Sequence, residues 1–160
     1  MKRRTSRYRP AVGIMLINSR AQIFMGLRLD IREEAWQMPQ GGINRGEEPL
    51  NAALRELSEE TGIHEVKILS ESSQWYTYDL PNHFRGGRYC GQMQKWYLMQ
   101  FLGVDEDICL ETHHPEFKNW RWIDPSHLLP LIVDFKRDVY RKVLQEFSPF
   151  LEKYGSGGGI

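Results

Sequence analysis

The stretch GGINRGEEPLNAALRELSEETGI, residues Gly41 to Ile63, decides how the chain is read. Its second half places Glu56, Glu59 and Glu60 at i, i+3 and i+4, a spacing that brings three carboxylates to one side of a helix. Leu50, Ala53, Leu54 and Leu57 keep the same period and form an apolar stripe for burial against a core. Glu48-Pro49 reads as the helix start, because proline at the first helical position loses nothing by lacking an N–H. Gly62 reads as a left-handed stop. The expectation is a loop, a helix of about three turns and a glycine stop, with an acidic edge facing outward. Carboxylates this crowded need cations. On a plain solvated helix these would be basic side chains, such as Arg55 four residues before Glu59; in a reactive site they would be metal ions.

Around this stretch lie 160 residues, 41% hydrophobic and 26% charged, which is the composition of one folded domain and not of a disordered chain. The formal net charge is zero but unevenly spread: Gly41 to Ile63 holds five acids against two bases, and the remainder carries the balancing positive excess. Lys2, Arg3, Arg4, Arg7 and Arg9 crowd the start, while Lys136, Arg137, Arg141 and Lys142 share a late segment. Basic clusters beside a metal-attracting acidic centre suit a polyanion such as a nucleotide or an RNA 5′ end, against the plain alternative of solubilising arms. Cys90 and Cys109 have neither CxxC nor zinc-ligand spacing, which fits a reducing compartment. Ala11 to Ile17 is a short apolar run, preceded by Pro10 and followed by Asn18-Ser19-Arg20 without a cleavage pattern, and no run approaches the ~18 apolar residues of a membrane span. A cytoplasmic protein with no membrane association and no obligate protein partner is expected.

Residues 11–17 and 22–28 read as antiparallel strands joined by a turn, with further strand patterns over 66–80, 93–102 and 117–123. Residues 81–91, containing Gly86 and Gly87 with Arg85 and Arg88, read as a loop, and the pair His113-His114 as an ordinary loop pair. Asp124-Pro125 opens a short helix that Pro130 is expected to end. Asp134 caps a longer one with Phe135, Val139, Val143 and Phe147 on a single stripe, interrupted or restarted at Pro149. The domain reading is a basic arm over 1–9, one domain over 10–153, and a flexible Gly/Ser tail over 154–160. Strands flanked by helices give an α/β fold with a mixed sheet.

Gly41, Glu47, Arg55-Glu56-Leu57, Glu59-Glu60 and Gly62-Ile63 fill all nine fixed positions of the Nudix box. The chain therefore resembles the Nudix hydrolases, a family that cleaves nucleoside diphosphates linked to another moiety. The resemblance implies an α/β/α sandwich and outweighs the plain acidic helix. Outside the box, Tyr8-Arg9-Pro10, Trp36-Gln37-Met38-Pro39-Gln40, Gly91-Gln92-Met93-Gln94-Lys95-Trp96, Pro115-Glu116-Phe117 and Phe135-Lys136-Arg137-Asp138 resemble the bacterial RNA pyrophosphohydrolase branch of that family. Members of that branch convert the 5′-triphosphate end of RNA to a monophosphate, which initiates mRNA decay. Close relatives of the branch are described as dinucleoside polyphosphate hydrolases.

Glu56, Glu59 and Glu60 are the expected metal ligands, and an all-oxygen set selects Mg²⁺ or Mn²⁺ over zinc. The resemblance adds Glu116 as a further ligand or general base, and Gln40 is expected to lend its backbone carbonyl. Glu47 and Arg55 resemble the pair that braces the box and complete the catalytic set. By resemblance Arg9, Arg28 and Lys136 meet phosphates and Gln92 and Phe135 meet terminal bases, with Val133 among the substrate-binding positions. Helical phase alone would put Phe135 in the core. Met93 stands where relatives often carry lysine and Ala35 where some carry a hydroxyl, departures that would favour dinucleotides over RNA. The expected substrate is 5′-triphosphorylated RNA, with a dinucleoside polyphosphate as the alternative. A nucleotide-sensing Nudix-fold module is the non-enzymatic alternative, and it would be expected to lose box carboxylates that this chain keeps.

Overall fold

The computed structural model describes residues 7–30, 34–81, 89–113 and 115–157, with side chains as far as Tyr154. Eight strands form one mixed sheet: β1 (Tyr8–Ile17), β2 (Ile23–Arg28), β3 (Trp36–Gln37), β4 (Gln40–Gly42), β5 (Val66–Glu71), β6 (Tyr76–Asp79), β7 (Gly91–Phe101) and β8 (Phe117–Ile123). β1 runs parallel to β7 from Tyr8 opposite Gly91 to Ile17 opposite Gln100, and every other pairing is antiparallel. Among the described residues two α-helices complete the fold, α1 (Pro49–Thr61) and α2 (Asp134–Gly157).

The central strands bury both faces, and their alternation sorts side chains between two cores. Met15 and Ile17 of β1, Ile23 and Met25 of β2, and Trp96 and Leu98 of β7 meet Val139, Tyr140, Val143 and Phe147 of α2. Val12, Ile14 and Leu16, with Phe24, Tyr97 and Met99, meet Ala52, Ala53 and Leu57 of α1 on the opposite side. The expected α/β/α sandwich is therefore observed. Among the described residues no helix is long and apolar enough to cross a membrane.

α1 begins after Glu48 with Pro49 in its first turn, and Gly62 closes it at φ 72° with its N–H on the Ser58 carbonyl. The acidic edge does not face outward as expected. Glu60 is only 4% exposed and Glu56 is half-buried, so two of the three carboxylates turn toward the sheet.

Two further expectations, on Pro149 and Pro130, are corrected. Pro149 lies inside a continuous helix; the Gln145 carbonyl, four residues back and deprived of a backbone donor, accepts Ser148 Oγ at 3.0 Å instead. α2 continues past residue 153 to Gly157, and Tyr154 packs against the core edge. Pro130 does not end the turn that Asp124 opens. That turn closes at His127, and Pro130 sits at the start of a second one, Leu129–Leu131, where its missing N–H is no loss. Tyr8 and Arg9 belong to β1, and Lys2, Arg3, Arg4, Arg85, Gly86, Gly87, Arg88, His114 and the last three residues lie outside the described residues.

Candidate active site

The segment between β3 and α1 is pinned to the sheet from both sides. Ile14 N–H donates to the Pro39 carbonyl at 2.9 Å and Ile43 N–H to the Pro10 carbonyl at 3.1 Å. From the α2 side, Tyr140 Oη accepts the buried Met38 N–H at 3.0 Å, and one turn earlier Lys136 Nζ donates to Gln37 Oε1 at 2.8 Å and Gln40 Oε1 at 3.3 Å. Lys136 and Tyr140, four apart, share the helix face that clamps Gln37 to Gln40.

A cleft of about 420 Å³ opens beside this clamp. Nine of the candidate catalytic, metal-binding and substrate-binding residues line it, Arg9, Arg28, Gln40, Glu56, Glu60, Gln92, Glu116, Phe135 and Lys136, together with Gly41 and Gly42. Gln37, Tyr78 and Leu80 also line it and were not anticipated. Tyr78 was legible in part, since Tyr76-Thr77-Tyr78-Asp79 alternates and buries both tyrosines on one face. Gln37 gave a weaker signal, a polar residue between Trp36 and Met38 in a buried strand. Glu47, Arg55, Glu59 and Val133 do not line the cleft; Val133 only offers its carbonyl to the Lys136 N–H at 3.1 Å. Met93 and Ala35, the two departures, are also absent from the lining.

Arg55 organises the acidic side. Its Nε and Nη2 grip both oxygens of Glu47 at 2.9 Å, Nη2 also reaches the Gly42 carbonyl at 2.8 Å, and Nη1 meets Glu56 at 3.0 Å and Glu59 at 3.2 Å. Glu47 accepts the Asn44 N–H as well, at 2.9 Å, and these bonds hold its carboxyl down at about 2. The fork fixes Glu56 toward the cleft and keeps Glu59, 49% exposed, on the outer flank. At Gly41, where Glu56 crosses β4, any Cβ would overlap the Glu56 carboxyl and displace it.

Arg28 and Glu116 meet at an irregularity between β2 and β8. Leu27 lies opposite Asn119 and Arg28 opposite Phe117, so β8 spends an extra residue, Lys118, at this step. Such a bulge re-aims the side chains beside it. Arg28 forms a two-point pair with Asp30, at 3.0 and 2.7 Å, and Leu29 N–H donates to the Glu116 carbonyl at 3.0 Å.

The three cleft carboxylates all hold protons more tightly than usual. Burial raises Glu60 well above the ordinary range, and the charges of Glu56 and Glu116 raise it further. Burial also raises Glu56, against the pull of Arg55, and Glu116, with Asp30 adding to the effect. Lys136 is pushed the other way, to about 7, by burial and then by the Arg28 charge, while Asp30, Glu60 and Glu116 oppose the shift. Among the described residues no three acidic, histidine or cysteine side chains are gathered into a ready metal cage, and Arg55 engages Glu56 and Glu59. The donor set nevertheless fits a hard cation. Among the described residues Glu60 Oε1 is buried without a hydrogen-bond partner, and Glu56, Glu116 and Gln40 line the same cleft with oxygen donors.

A family model described as NUDIX domain matches residues 7–143. The RNA pyrophosphohydrolase of Sphingopyxis alaskensis is 51% identical over 150 residues, 90% of this chain and 95% of that protein. The RNA pyrophosphohydrolase of Novosphingobium aromaticivorans is 54% identical over 148 residues, 88% of this chain and 92% of that protein. Among solved structures, a C. elegans Ap4A hydrolase in a binary complex aligns with a TM-score of 0.65 at 21% identity, over 89% of this chain and 98% of that one, a likeness of fold. With the complete box on α1, a family model spanning most of the length and relatives half identical along nearly all of it, this chain belongs to the Nudix family.

Proposed function

We propose that this chain is a divalent-cation-dependent RNA pyrophosphohydrolase. Water adds to a phosphorus of the 5′-triphosphate, the bridging P–O bond breaks, pyrophosphate departs, and the RNA keeps a 5′-monophosphate. The observation that carries this reading is the convergence of Glu56, Glu60 and Glu116 with Arg9, Arg28 and Lys136 on one cleft. The half-identical relatives that bear this activity in their names support it. When bound, Mg²⁺ or Mn²⁺ supplies neutralisation of phosphate oxygens and polarisation of the attacking water. Arg9, Arg28 and Lys136 bind the phosphate chain, and the fork that Arg28 now presents to Asp30 has the geometry a phosphate takes. Glu116, with its proton affinity raised toward working pH, takes the proton from water. Glu47 and Arg55 act by holding Glu56 in place, and Glu59 is the outermost of the proposed ligands.

RNA is preferred over a dinucleoside polyphosphate because the relatives named for RNA are half identical, whereas the likeness to the Ap4A hydrolase is one of fold. Equimolar 5′-triphosphorylated RNA and diadenosine tetraphosphate, competed first with Mg²⁺ and then with Mn²⁺, should show RNA consumed first. Faster consumption of the dinucleotide with both ions would reverse the assignment.

Phe135 faces both ways. It lines the cleft, and it packs on Tyr78 with ring centroids 5.8 Å apart at the edge of the core. A base stacked on its ring contributes about 1–3 kcal/mol. Phe135→Ala is therefore expected to weaken RNA binding by that amount, with a melting loss well short of the ~3–5 kcal/mol of a fully buried phenylalanine. Unchanged RNA titrations together with a large drop in melting midpoint would return Phe135 to the core alone.

The raised carboxylates also set a pH dependence. Native Glu56, Glu60 and Glu116 retain protons that the unfolded chain releases near 4.5, so metal-free stability falls as pH rises from there through their raised values. A divalent cation at about a hundred times its dissociation constant should restore about 5–10 °C of melting midpoint at pH 8, and much less at pH 5. Equal shifts at the two pH values would remove these carboxylates from the cation site.

A further inference from the structure

We propose that Gly42 is a positioning residue for substrate phosphates, acting through Arg9. The inference rests on the reading of Arg9 as a phosphate contact. β1 and β4 are antiparallel with Ala11 opposite Gly42, so Arg9, two residues before Ala11, leaves β1 on the same face as a diagonal neighbour of Gly42. One methyl group and one hydrogen make a low floor, and the guanidinium lies down on it. A Cβ built at Gly42 would fall 2.6 Å from Arg9 Cζ and 2.7 Å from Nε, and closer still to Nη2.

The floor cannot yield. Ile43 N–H is bonded to the Pro10 carbonyl at 3.1 Å, and the Gly42 carbonyl itself accepts Arg55 Nη2 at 2.8 Å. The side chain above it can, being long and exposed. Gly42 is not among the residues with positive φ, so its backbone would admit alanine without strain. What requires glycine here is the overlying guanidinium. Gly42 lies one residue past the fixed glycine of the box, and through its carbonyl the brace of the acidic helix also fixes the bed of a phosphate-binding cation. An added methyl group would lift Arg9 off that bed and out of register with the phosphate chain.

Steady-state kinetics on 5′-triphosphorylated RNA, with thermal melts, for wild type, Gly42→Ala, Arg9→Ala and the double variant test this. Each single variant should raise KM about tenfold, the effect of one charge-assisted hydrogen bond, with kcat and melting midpoint little changed. The double variant should be no worse than Arg9→Ala, because both substitutions remove the same contact. A wild-type KM for Gly42→Ala beside an impaired Arg9→Ala overturns the role of Gly42 and leaves Arg9 in the site. Losses that add in the double variant also overturn it, since Gly42 would then act on the fold. An unchanged KM for Arg9→Ala overturns the reading of Arg9 and the inference with it.

Discussion

Glu60→Gln is expected to lower turnover by about 10³-fold, equivalent to about 4 kcal/mol of transition-state stabilisation, while the fold persists. The side chain is 4% exposed and lines the cleft, with Oε1 buried and without a hydrogen-bond partner among the described residues, so glutamine keeps the shape and removes the charge. That charge is costly to the metal-free protein, because burial and the neighbouring Glu56 and Glu116 all oppose it. The variant should therefore melt higher than wild type without cation and gain little when cation is added. Lost turnover, raised metal-free stability and a missing cation response together mark a group kept for chemistry at the expense of stability. Wild-type turnover in this variant would sink the metal assignment for Glu60.

Arg55→Ala has the second largest expected effect, and it falls on stability and activity together. The side chain is 27% exposed and bonds three carboxylates and the Gly42 carbonyl. Charge-assisted hydrogen bonds contribute about 1.5–3 kcal/mol each when buried; discounted for solvent and shared geometry, the loss should be about 2–4 kcal/mol in a denaturant melt. Glu47, Glu56 and Glu59 would then repel one another across α1 and the loop before it, and turnover should fall about 10²-fold as Glu56 leaves its orientation. Arg55→Lys restores one charge but not the fork, so it should recover stability only in part. Full recovery with lysine would mean that position in the field, and not bidentate geometry, is what matters.

The helix that carries these groups was legible because its signals are local. Pro49, the four-residue spacing of carboxylates and Gly62 all act within their own turns, and the structure repeats them. What the spacing could not tell was which way the carboxylates turn. Glu56 and Glu60 face the cleft because Gly41 leaves room for one and Arg55 orients it, and both partners come from outside the turn. Tyr78, Leu80 and Gln37 escaped notice for a related reason. Each belongs to a strand or strand end whose own pattern says only that one face is buried; that this face borders a cleft depends on where α2 lands. The course of α2 past Pro149 is not legible locally because proline is a strong local breaker, and its cost is offset here by a neighbouring hydroxyl and by tertiary packing. Phe135 was ambiguous in phase and is ambiguous in place, at the border of core and cleft.

If the cleft breaks a phosphoanhydride at an RNA end, the chemistry of that end after reaction reports it. Purified protein would be incubated with 5′-triphosphorylated RNA in Mg²⁺, and in parallel with chelator, and the ends assayed with a nuclease that degrades only 5′-monophosphorylated RNA. Monophosphorylated ends are expected in Mg²⁺, none with chelator, and almost none with Glu60→Gln. RNA that binds the protein with its triphosphate intact in Mg²⁺ would contradict it and leave a binding module in place of an enzyme.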